Sequence, residues 1–178
     1  ESFVRKHKNL SVIIFSETDI TQDRFSFLVD KCSFLFDHLI KYPLYSEADA
    51  RQFIAYYSHI WKRSLPEKIV KEIVHSCGGY LWLIHQAQRN LRDNPTLTVE
   101  EALSDDLMVR KLETIWDKFT QEEKNIIRNI SGQSLQEKET LSHEYSYLKA
   151  IKIIGKDREK IILNIPILKL AILRENNL

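Results

Sequence analysis

Apolar residues recur at helical spacing through the middle of the chain. One stripe follows the capping sequence SEAD at 46–49, and a second follows SLPE at 64–67. A third predicted helix covers Tyr80–Leu91 and stops at Asn94-Pro95. The pattern therefore predicts a bundle of three helices over residues 46–95. Its inward-facing residues are Ala50, Phe53, Ile54, Tyr57, Trp61, Ile69, Val70, Ile73, Val74, Cys77, Leu83, Ile84, Ala87 and Leu91.

A pair of glycines, Gly78 and Gly79, interrupts this helical region within the sequence CGGYLWLIHQA. They are two of only four glycines in the chain. One glycine is explained as a left-handed cap that ends the second helix. Such a cap accounts for one glycine of the pair and leaves the other without a local explanation.

The region before the bundle has a different pattern. NLSVIIFSE at 9–17 is a short apolar run with β-branched residues, which is typical of a strand buried on both faces. A second short strand is predicted at Phe36–Ile40. Residues 1–45 therefore resemble the end of an α/β sheet whose first strands are missing. The chain begins at Glu1 and its one methionine is Met108, so we expect a piece of a longer protein.

Residues 96–104 are predicted to be a linker, and residues 105–178 a second helical unit. TQEE at 120–123 is a capping box, and a further helix is predicted over about Glu137–Ile151. IKII-GKDREK-IILNI then has the pattern of a β-hairpin, and Pro166 opens a last helix. Helix, helix, helix and hairpin is the order of a winged helix-turn-helix. The predicted fold class is mainly α with a small β contribution.

Composition narrows the functional classes without selecting one. The chain of 178 residues carries 26 Lys and Arg against 25 Asp and Glu, so no overall field favours nucleic acid or a membrane surface. No apolar run is long enough to span a bilayer. Cys32 and Cys77 are too few for a disulfide framework, and buried thiols in a reducing cytoplasm are expected. His75 and Cys77 lack the further ligands that zinc needs.

The order of elements resembles the C-terminal part of AAA+-like P-loop ATPases of the origin-recognition and STAND group, including archaeal ATPases. In these proteins the last strands of the sheet lead into a helical lid and then a winged helix. YPLYSEADARQFI is similar to the start of such a lid, and CGGYLWLIHQA to the turn before its last helix. YSYLKAIKII-GKDREK-IILNIPIL is similar to the final helix, wing and closing segment.

The resemblance implies functional residues but no complete ATPase. Ser16 would end a strand as a nucleotide sensor, and Gly78 and Gly79 would let the lid approach the nucleotide-binding core. The phosphate-binding sequence GxxxxGK[ST] is absent, so ATP and Mg²⁺ are expected in a parent protein and no cofactor in this chain. STAND-type lids often carry a proline two positions after the glycine pair, where this chain has Leu81. Origin-recognition lids place a phosphate-sensing arginine near the pair, whereas the next arginine here is Arg89, well into the helix. We expect a regulatory region that couples nucleotide state to a winged-helix module and is not itself catalytic.

The predicted wing offers a surface for either a protein or duplex DNA. Lys156, Arg158 and Lys160 could contact phosphates or dock a partner. Residues 105–178 carry 13 Lys and Arg against 12 Asp and Glu, whereas a DNA reader usually shows a basic stripe. Docking to the missing ATPase core or to another protein is therefore preferred, and a winged-helix DNA-binding protein is the alternative.

Overall fold

The computed structural model describes residues 42–132, 141–158 and 160–175, all of which belong to one compact unit. The strands predicted before residue 42 lie outside the described residues. The elements are α1 (Glu47–Ile60), α2 (Glu67–Cys77), α3 (Leu81–Asp93), α4 (Val99–Leu103), α5 (Asp106–Trp116), α6 (Gln121–Ser131), α7 (His143–Ala150), β1 (Ile154–Asp157), β2 (Lys160–Leu163), a 3₁₀ turn (Pro166–Leu168) and α8 (Lys169–Glu175).

This architecture confirms a mainly α fold with a small β contribution. In the described part of the chain, eight α-helices accompany one two-stranded antiparallel sheet. The strands pair from Ile154 opposite Leu163 to Asp157 opposite Lys160. Helices α5, α6 and α7 precede this hairpin, in the order predicted for a winged helix.

Among the described helices, three begin at capping boxes, in which the residue before the helix and the third residue of the helix each bond the other's backbone N–H. The pairs are Ser46 with Asp49, Thr98 with Glu101, and Thr120 with Glu123. The first and third were predicted from SEAD and TQEE. The SLPE prediction needs correction because α2 begins after Pro66, which caps it without a side-chain hydrogen bond.

A single hydrophobic cluster runs through the described residues. Ile73, Leu83 and Ile84 from the first helices belong to it, as do Leu112 and Leu168 from the later ones. Residues 96–104, predicted as a linker, contain the short helix α4, and its Val99, Ala102 and Leu103 are buried in this cluster. The boundaries predicted between a lid and a winged helix remain a prediction.

Helix α7 is shorter than predicted and ends in a Schellman motif. It begins after the cap Ser142, and residues 137–140 of the predicted helix lie outside the described residues. Lys152 follows the helix with φ of 60°, and its N–H donates to the Lys149 carbonyl. The Ile153 N–H donates to the Leu148 carbonyl, which completes the motif. The chain thereby turns directly from α7 into β1.

The last helix is tied to α5 and α6 through one carboxylate. Glu175 accepts hydrogen bonds from Trp116 Nε1 at 2.8 Å and from Arg128 Nη2 at 2.5 Å, with Lys124 Nζ at 3.6 Å. Both cations also lie over the Trp116 ring, 5.3 and 5.4 Å from its centre. The indole hydrogen bond is the main influence that lowers the pKa of Glu175, and the two cations lower it further.

We predict that Glu175→Gln lowers the free energy of unfolding by about 1–2 kcal/mol at neutral pH, because the variant loses charge-assisted hydrogen bonds. A carboxylate with a lowered pKa in the folded state stabilises the fold above its ordinary pKa of 4.5. That contribution is lost as the pH falls below this value. Urea unfolding at neutral pH and near pH 3 measures both effects.

The matched control is Glu113→Gln, since Glu113 pairs with Arg174 at 3.4 Å and both side chains are about half exposed. We expect this control to change stability by less than about 0.5 kcal/mol. An equal loss for Glu175→Gln at both pH values would contradict the assigned role of its charge.

Candidate functional site

The glycine pair forms a tight turn between α2 and α3. Gly78 has φ of 57° and ψ of −138°, and the Tyr80 N–H donates to the Cys77 carbonyl at 3.2 Å. These angles and this hydrogen bond define a type II′ β-turn with Gly78 at its second position. The left-handed cap predicted here is therefore wrong in detail, because ψ lies far from the left-handed helical region although φ is positive.

Gly79 is required by a close backbone approach. A Cβ atom on Gly79 would overlap the backbone carbonyl oxygen of Tyr45, and its next nearest atoms are also Tyr45 backbone atoms. The Tyr45 N–H donates to the Gly79 carbonyl at 3.3 Å. The close approach of Tyr45 therefore requires a glycine at position 79, independently of the helix end. We call residues 42–46 the lead segment.

Gly78 makes a second close approach, to the segment that follows the hairpin. A Cβ on Gly78 would overlap the backbone oxygen of Asn164. Asn164 N–H donates to the Ile153 carbonyl, and its Nδ2 donates to the Lys152 carbonyl, both at 2.9 Å. Its amide also covers Gly155, where a Cβ would lie 2.6 Å from Oδ1. Asn164 thus closes the base of the hairpin directly against the glycine turn.

Three chain segments therefore meet at one place, which we call the glycine junction: Tyr45, Gly78, Gly79 and Asn164. The lead segment is held on its other side as well, because the Leu44 N–H donates to the Ile151 carbonyl at 3.0 Å. An open groove of about 380 Å³ lies at this junction, and Lys71, His75 and Lys152 line it. The predicted approach of the glycines to a nucleotide-binding core stays a prediction.

The predicted site residues are not brought into one cluster. Ser16 lies outside the described residues, and Gly78 and Gly79 form the junction. Lys156, Arg158 and Lys160 lie at the exposed end of the hairpin.

The hairpin register separates two of these cations. Lys156 pairs with Ile161, whereas Lys160 pairs with Asp157. Since successive residues of a strand face opposite sides, Lys156 and Lys160 lie on opposite faces of the hairpin. Arg158 occupies the turn with φ of 55°. The three charges therefore surround the tip instead of forming one basic stripe, and a carboxylate stands opposite Lys160.

Cys77 is the one cysteine within the described residues. Cys77 is a free, buried thiol, and burial raises its pKa to about 12, so it is protonated at neutral pH. No group of three or more potential metal ligands occurs within the described ranges. Across the same ranges, no helix combines the length and the apolar character needed to cross a membrane.

Comparison with known proteins assigns no family. No family model, curated protein or solved structure matches the chain. A P-loop ATPase origin is therefore a proposal for this chain.

Tyr45 and Asn164 were not among the residues predicted from the sequence. Neither residue type signals a role here, because the contacts of Tyr45 with Gly79 and of Asn164 with Gly78 are closest at backbone atoms. The surplus glycine was the one available signal. It was consistent with a close backbone approach but could not identify the approaching segment.

We predict that Gly79→Ala destabilises the fold by about 3 kcal/mol or more, because the added methyl group meets backbone atoms that cannot move aside independently. Gly132→Ala is the control, since its Cβ would lie 3.5 Å from the nearest atom and Gly132 has negative φ. We expect the control to change stability by less than about 0.5 kcal/mol. Chemical denaturation of both variants checks this, and similar losses for the two would refute the close approach.

Proposed function

We propose that this chain is the C-terminal regulatory region of a P-loop ATPase, and that it couples nucleotide state to the winged-helix module. The observation that carries the proposal is the glycine junction. There the lead segment, which follows residues 1–41, contacts the turn between α2 and α3, and that turn contacts the base of the hairpin. A displacement of the lead segment would therefore reach the hairpin through the turn between α2 and α3.

The path is stiff because its closest contacts, at Gly78 and Gly79, are made with backbone atoms. Side chains can absorb a shift by changing rotamer, whereas two peptide units in van der Waals contact cannot. The lead segment is also hydrogen-bonded on both sides, to Gly79 and to Ile151. Such an arrangement favours rigid-body motion of packed elements over local rearrangement.

We do not assign nucleotide binding to the described residues. This chain contains no phosphate-binding loop, so ATP and Mg²⁺ would be held by a missing ATPase core in cis. The described residues would transmit a conformational change to the winged helix and would carry out no chemical step. A protein partner docked on the winged helix would receive the signal.

The test uses the full-length product of the gene that encodes this chain. We expect it to bind ATP, and amide hydrogen exchange in residues 154–163 to differ between the ATP and ADP states. Asn164→Ala should reduce that difference while ATP hydrolysis persists, because the variant removes the amide that closes the base of the hairpin.

Asn125→Ala is the control, since Asn125 is an exposed residue of α6 away from the junction. This variant should leave the nucleotide-dependent difference unchanged. Absence of ATP binding by the full-length protein, or identical hairpin exchange in both states, would overturn the proposal.

One observation favours a second candidate function, the binding of duplex DNA. The exposed residues of α7 are His143, Ser146, Lys149 and Ala150, and Glu144 is only partly exposed. Glu137 and Glu139, at the start of the predicted helix, lie outside the described residues. A helix face of this composition could enter the major groove while the hairpin contacts phosphates.

If this second function is correct, a labelled duplex will bind, and its affinity will fall steeply with salt. The double variant Lys156→Ala/Lys160→Ala should weaken binding about tenfold. The matched control Lys68→Ala/Lys169→Ala removes two exposed lysines elsewhere and should have a smaller effect. Fluorescence anisotropy measures all three proteins, and equal losses in both variants would indicate nonspecific attraction only.

A further inference from the structure

A cluster of aromatic side chains lies on the paired faces of α1 and α3, away from the residues assigned to the glycine junction. Phe53, Tyr57 and Trp61 follow one another along α1 with ring centres 4.9 and 5.1 Å apart. His85 from α3 packs against this row, 4.5 Å from Tyr57 and 5.4 Å from Trp61. All four side chains are partly exposed. They form a firm aromatic wall rather than part of the buried core.

Tyr56 extends this wall outward. Its ring centre lies 5.3 Å from that of Tyr57, nearly perpendicular to it, and 61% of the residue is exposed. The neighbouring Ile60 is 49% exposed. A tyrosine ring held by an edge contact and open to solvent is suited to stack on a flat ligand.

The same end of α1 and α3 is strongly basic. Arg63 Nη1 donates to the Arg92 carbonyl at 2.6 Å, which places the C-terminal ends of the two helices side by side. The Arg92 guanidinium lies 4.6 Å above the Trp61 ring, and Arg89 is about half exposed on the same helix. Residues 56–63 and 85–93 together contain four Lys and Arg: Lys62, Arg63, Arg89 and Arg92.

Only one carboxylate occurs in these two ranges. Asp93 pairs with Arg92 at 2.6 Å and, more loosely, with Arg89 at 3.7 Å. Burial, and then the nearby Arg89 and Arg92, lower the pKa of His85, so the histidine adds no charge at neutral pH. The positive charge of the surface therefore comes from residues that stay charged at any physiological pH.

We infer that this face, the basic aromatic face, binds single-stranded nucleic acid. Phosphates would contact the arginines and Lys62, and an unpaired base would stack on Tyr56 beside the aromatic wall. An acidic peptide would match the charge but would leave the exposed ring without a stacking partner. A duplex keeps its bases stacked inside and offers only phosphates. This inference does not rest on the proposed regulatory function.

The experiment measures anisotropy of a fluorescein-labelled single-stranded oligonucleotide of mixed sequence, titrated with the 178-residue chain at two salt concentrations. We expect binding that weakens with salt. Tyr56→Ala and Arg89→Ala should each weaken it about tenfold, in the range found when a stacking or phosphate contact is removed. Both side chains are exposed, so neither variant should unfold the protein.

Two control variants match these changes. Arg174→Ala removes an arginine that is 55% exposed and paired at 3.4 Å, against 54% and 3.7 Å for Arg89. Tyr42→Ala removes a tyrosine that is 71% exposed. Both controls should bind within about twofold of wild type.

Four results would overturn the inference. One is no binding at low salt, and another is equal loss in the control and test variants. In the third, poly-glutamate displaces the oligonucleotide at equal charge concentration and Tyr56→Ala has no effect on oligonucleotide binding. That result would indicate an acidic protein partner instead. Loss through Lys156→Ala/Lys160→Ala alone would assign the binding to the hairpin and would also contradict it.

Discussion

The described fold depends on a contact between peptide units that has no room for a side chain. At Gly79 the backbone of the lead segment occupies the space of a Cβ, and at Gly78 the Asn164 backbone does the same. Gly78 also adopts a positive φ, so both the space and the conformation require glycine. Because the two glycines are adjacent, one turn fixes the lead segment and the base of the hairpin together. The three-helix bundle and the hairpin are thus linked through backbone geometry as well as through apolar contacts.

Burial and polar contacts also join the helices into one unit. Helix α4 fills the segment predicted as a linker, and its apolar residues join the common hydrophobic cluster. Glu175 ties the last helix to α5 and α6 through an indole and two cations. Motions within this unit are therefore expected to be small and concerted, as a region that transmits a displacement requires. The coupling role proposed here uses that property.

Cations that are close in the sequence are separated in the fold, and cations that are distant in the sequence lie together. Lys156, Arg158 and Lys160 are close in the sequence, yet the antiparallel register places two of them on opposite faces. The cations of the basic aromatic face are about 30 residues apart in sequence, and the pairing of α1 with α3 brings them together. A linear cluster of cations is therefore a poor guide to a charged surface in this protein. The aromatic rings that were predicted to be packing residues also form the part-exposed wall at this face.

The sequence alone determined most of the helices, two of their caps, the mainly α class and the hairpin, because these follow from local periodicity and from hydrogen bonds between residues three or four positions apart. It also showed that Gly78-Gly79 was one glycine more than a helix end needs. Only the tertiary structure identified Tyr45 and Asn164 as the reason for the pair, since each contributes backbone atoms that carry no residue-specific signal. The helical burial of residues 99–103 was likewise decided by packing. Local rules fix which segments form helices and strands, whereas close approaches between distant segments arise only when the whole chain is packed.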